Sequence, residues 1–213
     1  MITIQRFACN MLQENCYVAS DDTHECVVID CGAQYGAERE AIVTYIRDNK
    51  LAPKHLLATH GHLDHNMGND TMAAQFALKP EVHHGDTLFM EHPEEQARQF
   101  GVELKGALPP VGRYLADGES IEFGSHTLTV LHTPGHSRGS VCFYCPDEGV
   151  LFSGDTLFRH SIGRTDLEGG SMLQIIQSLR MLAQLPDDTQ VLPGHGDATT
   201  IGEELAHNPY MDR

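Results

Sequence analysis

The feature that most constrains this chain is a six-residue run, His60-Gly61-His62-Leu63-Asp64-His65, directly after the strand-like stretch His55–Thr59. Three imidazoles and a carboxylate so close together converge only in a tight turn, where the chain leaves a strand for a helix. There His60 and His62 can aim at one point, and Asp64 and His65, opening the following helix, at a neighbouring one. Such a turn needs a rigid sheet beneath it to hold its polar side chains in place. The run does not decide for a metal by itself, because with 14 histidines in 213 residues the chance of such a pattern is low but not negligible.

Three further positions decide it. His136 lies in Thr133-Pro134-Gly135-His136-Ser137, Asp155 in Phe152-Ser153-Gly154-Asp155-Thr156, and His195 in Leu192-Pro193-Gly194-His195-Gly196. Each follows a strand-like apolar run and sits among glycines, which let backbone approach an ion closely. Together these segments supply five histidines and two aspartates, the right number of ligands for two adjacent divalent ions with water in the open positions.

Around these segments the periodicity predicts strands at Ile2–Phe7, Cys16–Ser20, Cys26–Cys31, His55–Thr59 and Glu81–His84 in the first half. It predicts helices at Ala37–Asp48, ended by Pro53, and at Asn66–Phe76. The second half reads as strands Ser120–Phe123, His126–His132, Ser140–Tyr144, Gly149–Ser153 and Gln190–Pro193, with a helix opened by Ser171 and a last one from Thr200. Ser171 with Gln174 fits a capping box, and Met172, Ile175, Leu179 and Leu182 form the apolar stripe. Residues 87–113, with a short helix at Glu91–Phe100 and the breaker Pro109-Pro110, read as an insertion able to act as a lid over a site. Two β-rich halves with helices imply two packed sheets with helices outside, in one domain spanning 1–213.

Composition narrows the partners. Lys+Arg is 14 against Asp+Glu 30, a net charge of -16, which disfavours nucleic acid and anionic membranes. The N-terminus lacks a signal-peptide pattern and no apolar run is long enough to span a bilayer, so a cytoplasmic location with reduced thiols is expected. Cys142 and Cys145 form a C-x-x-C within a strand, where alternation puts the thiols on opposite faces; buried small hydrophobes are the reading.

The ordered set H-x-H-x-D-H, T-P-G-H, G-D and P-G-H resembles the metallo-β-lactamase fold family over nearly the whole chain, and Ile29-Asp30-Cys31-Gly32 resembles that family's opening motif. The resemblance implies a four-layer αββα sandwich of two mixed sheets with metals at one edge. It implies that His60, His62 and His136 hold one ion, that Asp64, His65 and His195 hold the other, and that Asp155 bridges them. Asp30 would support the ligand loop from behind. The donor set of nitrogen and oxygen without thiolate suits zinc, iron and manganese alike; zinc is the expectation, with iron or manganese as alternatives.

Within the family, Gly163-Arg164-Thr165-Asp166 and Pro193-Gly194-His195-Gly196 followed by Thr200–Glu204 resemble the short bacterial form of glyoxalase II, the hydroxyacylglutathione hydrolases. The resemblance implies cleavage of a small-molecule thioester, S-lactoylglutathione or another S-acyl small thiol, by a hydroxide shared between the metals, with Asp64 and Asp155 catalytic. The long form carries a C-terminal helical domain with basic residues for glutathione carboxylates. This chain runs only 18 residues past His195 (213 − 195), so glutathione is an open question. The alternative is a persulfide dioxygenase-like enzyme with a single iron, which shares the G-R-T-D element. Arg138, Arg159 and Arg164 are candidates for a substrate carboxylate, and an Arg164–Asp166 ion pair is an equal reading.

Nine of the 14 histidines (14 − 5) fall outside the expected site: His24, His55, His83, His84, His92, His126, His132, His160 and His207. They read as surface or hydrogen-bonded core residues. The adjacent pair His83-His84 is expected to face opposite ways on its strand.

Overall fold

A computed structural model describes residues 1–104 and 106–212; Lys105, inside the 87–113 segment, and Arg213 lie outside the described residues. The first sheet runs in the order β1 (Thr3–Cys9), β2 (Glu14–Ser20), β3 (Glu25–Ile29), β4 (Ala52–Leu57), β5 (Pro80–His83) and β6 (Arg113–Leu115). Its first three strands are antiparallel neighbours, and β3 to β6 pair in parallel. The second sheet is built from β7 (Ser120–Phe123), β8 (His126–His132), β9 (Val141–Cys145), β10 (Val150–Gly154), β13 (Gln190–Pro193) and β14 (Thr199–Thr200), with β10 and β13 parallel and the rest antiparallel. A small hairpin, β11 (Leu157–Phe158) with β12 (Ser161–Ile162), follows β10.

Strand alternation sorts the apolar residues into layers. In β3, Val27 and Ile29 face the second sheet and pack with Phe123, Phe143 and Phe152. Cys26 and Val28 face outward beneath α1 (Gly36–Asp48) and α2 (Asn69–Phe76), against Ile42, Ile46 and Met72. On the far side, Cys142, Leu151 and Val191 meet Leu179 and Leu182 of α5 (Met172–Leu182) and Ile201 of α6 (Ile201–His207). The result is the four-layer αββα sandwich expected from sequence. Cys142 and Cys145 fall in different layers, and all six thiols are free and buried. Among the described residues, no helix is long and apolar enough to cross a membrane.

Several local expectations change. Pro53 lies inside β4 rather than ahead of it: it pairs with Cys26 where the β3–β4 register shifts before Val27, a bulge that tolerates a residue without an N–H. The helix expected from Asn66 begins at Asn69, because Leu63–His65 forms a one-turn 3-10 helix and the Asn66 side chain bonds back to the loop before it. Ser171 does cap α5 by accepting from Gln174 N at 3.3 Å, but Met172 of the expected stripe is exposed. His83 and His84 do not diverge. β5 ends between them, their ring centroids lie 4.3 Å apart, and His83 stacks on His132 at 4.1 Å.

Residues 87–113 carry two helices, α3 (Thr87–Glu91) and α4 (Pro93–Phe100), where one was expected. Pro93 opens α4, where its missing N–H costs no helical bond. The segment packs through Ala97, Val102, Leu104 and Leu108 against Leu63 and Met67. Gln96 fastens it to the histidine loop, accepting from Leu63 N at 3.0 Å and donating to Gly61 O at 3.3 Å.

Candidate metal centre

Asp30, the histidine run, His136, Asp155 and His195 all follow the C-terminal ends of β3, β4, β8, β10 and β13, on one edge of the sandwich. Ligand-type atoms of His60, His62 and His136 come within 4.8 Å of one another, and so do those of Asp64, His65 and His195. Asp155 lies between the two groups: Oδ2 is 3.5 Å from His136 Nε2 and 3.7 Å from His195 Nε2, and Oδ1 is 3.4 Å from His65 Nε2. The seven residues picked out from sequence therefore converge on one spot.

Second partners orient the rings. Nδ1 of His60 faces Thr59 Oγ1 at 3.1 Å, that of His65 faces Asp30 Oδ2 at 3.1 Å, that of His136 meets Arg164 O at 2.8 Å and that of His195 meets Leu12 O at 3.1 Å. These four rings thus turn Nε2 inward, whereas His62 presents Nδ1, 2.9 Å from His136 Nε2. His60 Nε2 and Asp155 Oδ1 are buried without a hydrogen-bond partner. Buried polar atoms left this way ordinarily have one, and here they face into the cluster, so the donors fit divalent ions.

Burial depresses the basicity of His62, pushing it down to about 3 with help from His136, and burial also holds His60 well below its ordinary value. Burial alone would raise Asp155, but His65, His136 and His195 outweigh it and hold the carboxyl well below its ordinary range. Asp64 is lowered in the same way, chiefly by His65. His65 and His195 move up instead, because the surrounding carboxylates overcome the cost of burying their charge.

Asp30 sits where the resemblance put it. It has a left-handed φ of 53°, accepts from Thr59 N and Thr59 Oγ1, both at 2.7 Å, and reaches His65 with the second of these oxygens. The arginines are placed differently from one another. Arg164 lines the cavity at the cluster but is bound to Asp166 through Nε and Nη2, each at 2.8 Å. Arg138 and Arg159 are exposed and do not line that cavity.

The structure also brings in supports that periodicity did not disclose. Asp86, fully buried, accepts from Gly61 N, Ser137 Oγ and Gly139 N at 2.6–2.8 Å, tying the His60–His62 loop to the His136 loop across the two sheets. Asn15 donates to Pro193 O and Gly196 O, and Tyr17 OH to Pro193 O at 2.8 Å, fixing the His195 loop from β2. Asn10, also left-handed, spans Gly32 O and Asp64 O. Glu14 is buried beside His65 with neither oxygen hydrogen-bonded, and burial holds its carboxyl well above the ordinary value. Polar residues next to apolar strand residues, as in Asn15-Cys16-Tyr17, were the available signal. Glycine opens the space at the centre: a Cβ on Gly194 would run into Asp155 and His65.

Residues 9–195 match the metallo-beta-lactamase superfamily, and the chain belongs to that family. It is 35% identical to the hydroxyacylglutathione hydrolase GloC of Haemophilus influenzae over 202 residues, covering 94% of this chain and 93% of that protein. Among solved structures, BLEG-1, described as a B3 metallo-beta-lactamase, superposes with a TM-score of 0.89 at 36% identity, covering 98% of this chain and 99% of that one. TTHA1623 in a di-iron-bound form superposes with a TM-score of 0.87 at 36% identity, covering 97% and 100%.

Proposed function

We propose that this protein is a dinuclear metal-dependent hydrolase of small-molecule thioesters. The observation that carries the reading is the pair of three-residue groups with Asp155 between them, each histidine oriented toward the centre. His60, His62 and His136 would hold one ion and Asp64, His65 and His195 the other, with Asp155 shared. Divalent ions bound there would lower the pKa of water toward about 7 and polarise a carbonyl.

The protein's own groups supply the rest. Asp155 and Asp64, held ionised by the histidines around them, are the carboxylates available to accept a hydrogen bond from an attacking water and orient it. Thr59, Asp30 and the carbonyls of Arg164 and Leu12 keep the rings from turning as charge shifts. A thiol, with a pKa near 8.5 for a cysteine-like group, leaves as thiolate without a protein acid. No cysteine nucleophile is offered: all six thiols are buried, and burial pushes Cys142 up to about 12.

The GloC relative supports a thioester substrate, and the donor set of nitrogen and oxygen supports zinc, with iron open because TTHA1623 is described in a di-iron form. The test combines elemental analysis of protein purified without added metal with a panel containing S-lactoylglutathione, uncharged thioesters, a persulfide and a β-lactam. Two ions per chain and thioester cleavage that Asp155→Ala abolishes are expected. One iron per chain with oxygen consumption on the persulfide would move the assignment to a dioxygenase.

A further inference from the structure

The cluster opens into a cavity of about 260 Å³. Its walls outside the candidate ligands are Leu12, Leu63, Met67, Phe100, Val102 and Leu167, together with Arg164. These apolar side chains come from separate parts of the chain: the turn between β1 and β2, the histidine loop, the end of α4 with the residues after it, and the loop after G-R-T-D. Leu12 is 54% and Phe100 45% exposed. Large apolar groups held at the mouth of a polar cluster mark a surface built to be covered.

Charge along the same walls points the same way. Arg164 is the one lysine or arginine among the described lining residues, and Asp166 already holds its guanidinium with two hydrogen bonds. An adjoining cavity of about 230 Å³ shares His62, Phe100 and Leu167 and is lined by Glu95 and Glu168. A thiol whose carboxylates extend away from the cluster would meet carboxylates there, with no lysine or arginine among the described residues lining that adjoining cavity to offset them.

We propose that the cavity is an acyl-chain subsite, and that the preferred substrates are thioesters joining a short, unbranched apolar acyl group to a thiol without carboxylates. This rests on the thioester reading above, which puts the scissile carbonyl at the cluster. The acyl chain lies against Leu12, Phe100, Val102 and Leu167, where it replaces water on surfaces that are otherwise wetted. A lactoyl group, with a hydroxyl on its second carbon, gains little from such walls.

The test uses metal-replete protein and two matched series on N-acetylcysteamine: acetyl to octanoyl thioesters, and ketone analogues in which a methylene replaces the thioester sulfur and cleavage is impossible. Calorimetric Kd values for the ketones are expected to fall about fourfold per added methylene until the cavity is filled. Phe100→Ser, a change at a half-exposed position, flattens that slope. Leu12→Arg weakens binding of the longer ketones and lowers the Kd of the ketone analogue of S-lactoylglutathione, a gain that misfolding would not produce. A flat chain-length series, or tighter wild-type binding of the glutathione ketone than of the hexanoyl ketone, overturns the subsite. A clear slope in ketone binding with no cleavage of any thioester upholds the apolar subsite and overturns the hydrolase reading.

Discussion

Asp86 offers the most direct test of how the centre is held. Its carboxylate is buried between the two sheets, with Oδ1 accepting from Gly139 N at 2.7 Å and Oδ2 from Gly61 N at 2.8 Å and Ser137 Oγ at 2.6 Å. Burial raises this carboxyl above its ordinary value, and the three donors pull it back. Asp86→Ala leaves Gly61 N and Gly139 N without their acceptor, leaves Ser137 Oγ with only Ser140 Oγ at 2.8 Å, and opens a hole. With hydrogen bonds to a charged group contributing roughly 1.5–3 kcal/mol each and acting as a unit rather than additively, the expected loss is about 4 kcal/mol. For a chain of this length that is a fall in Tm of about 12 °C. Asp86→Asn keeps one oxygen but turns an amide N–H toward Gly139 N–H, so its loss is expected to be intermediate, roughly 1–3 kcal/mol. The assay is urea denaturation of the metal-replete and chelated proteins, with metal content measured for each variant. Because Gly61 lies between His60 and His62 and Ser137 follows His136, metal content falls along with stability. An Asp86→Ala protein within about 0.5 kcal/mol of wild type and with full metal content would refute the idea that Asp86 staples the two loops.

Removing the ions by chelation is expected to lower Tm by roughly 12 °C for each ion lost, since a ligand at a thousand times its Kd contributes about 4.1 kcal/mol; scanning calorimetry before and after refilling with zinc checks it, and an unchanged Tm counts against a built metal site. Gly194→Ala places a methyl against Asp155 and His65, so elemental analysis should find fewer than two ions per chain while circular dichroism stays native. His126 lies 3.0 Å from Asp21 and 2.8 Å from Glu148; burial opposes its charge, but the bonds to Glu148 and Asp21 outweigh it and raise its pKa above 6.5. That stabilisation is fully present below about pH 6.5 and lost as pH rises through the folded-state value, so the stability gap between wild type and His126→Gln should narrow as pH rises above about 6.5 in urea titrations, and a widening gap would contradict the sign.

Much of this protein was legible in the order of its residues. Strand and helix periods depend on neighbours a few positions apart, so Ser120–Phe123, His126–His132 and Gln190–Pro193 were predicted with the bounds they have in the structure. The H-x-H-x-D-H run and the three later motifs each follow a strand, and parallel neighbours such as β3, β4 and β5 end at the same edge, so convergence of the seven residues followed from topology. What only the tertiary structure decided was set by contacts between residues far apart in the chain. Asp86 and Ser137 are separated by 51 positions, and Asn15 and Pro193 by 178; no local pattern pairs them. Which ring nitrogen each histidine turns inward depends on what lies behind it, a carbonyl of Leu12 for His195 and of Arg164 for His136. The meeting of the His83 and His84 rings, the bulge at Pro53 and the apolar walls of the cavity arose in the same way: side chains settled against whatever the folded sheets brought beside them.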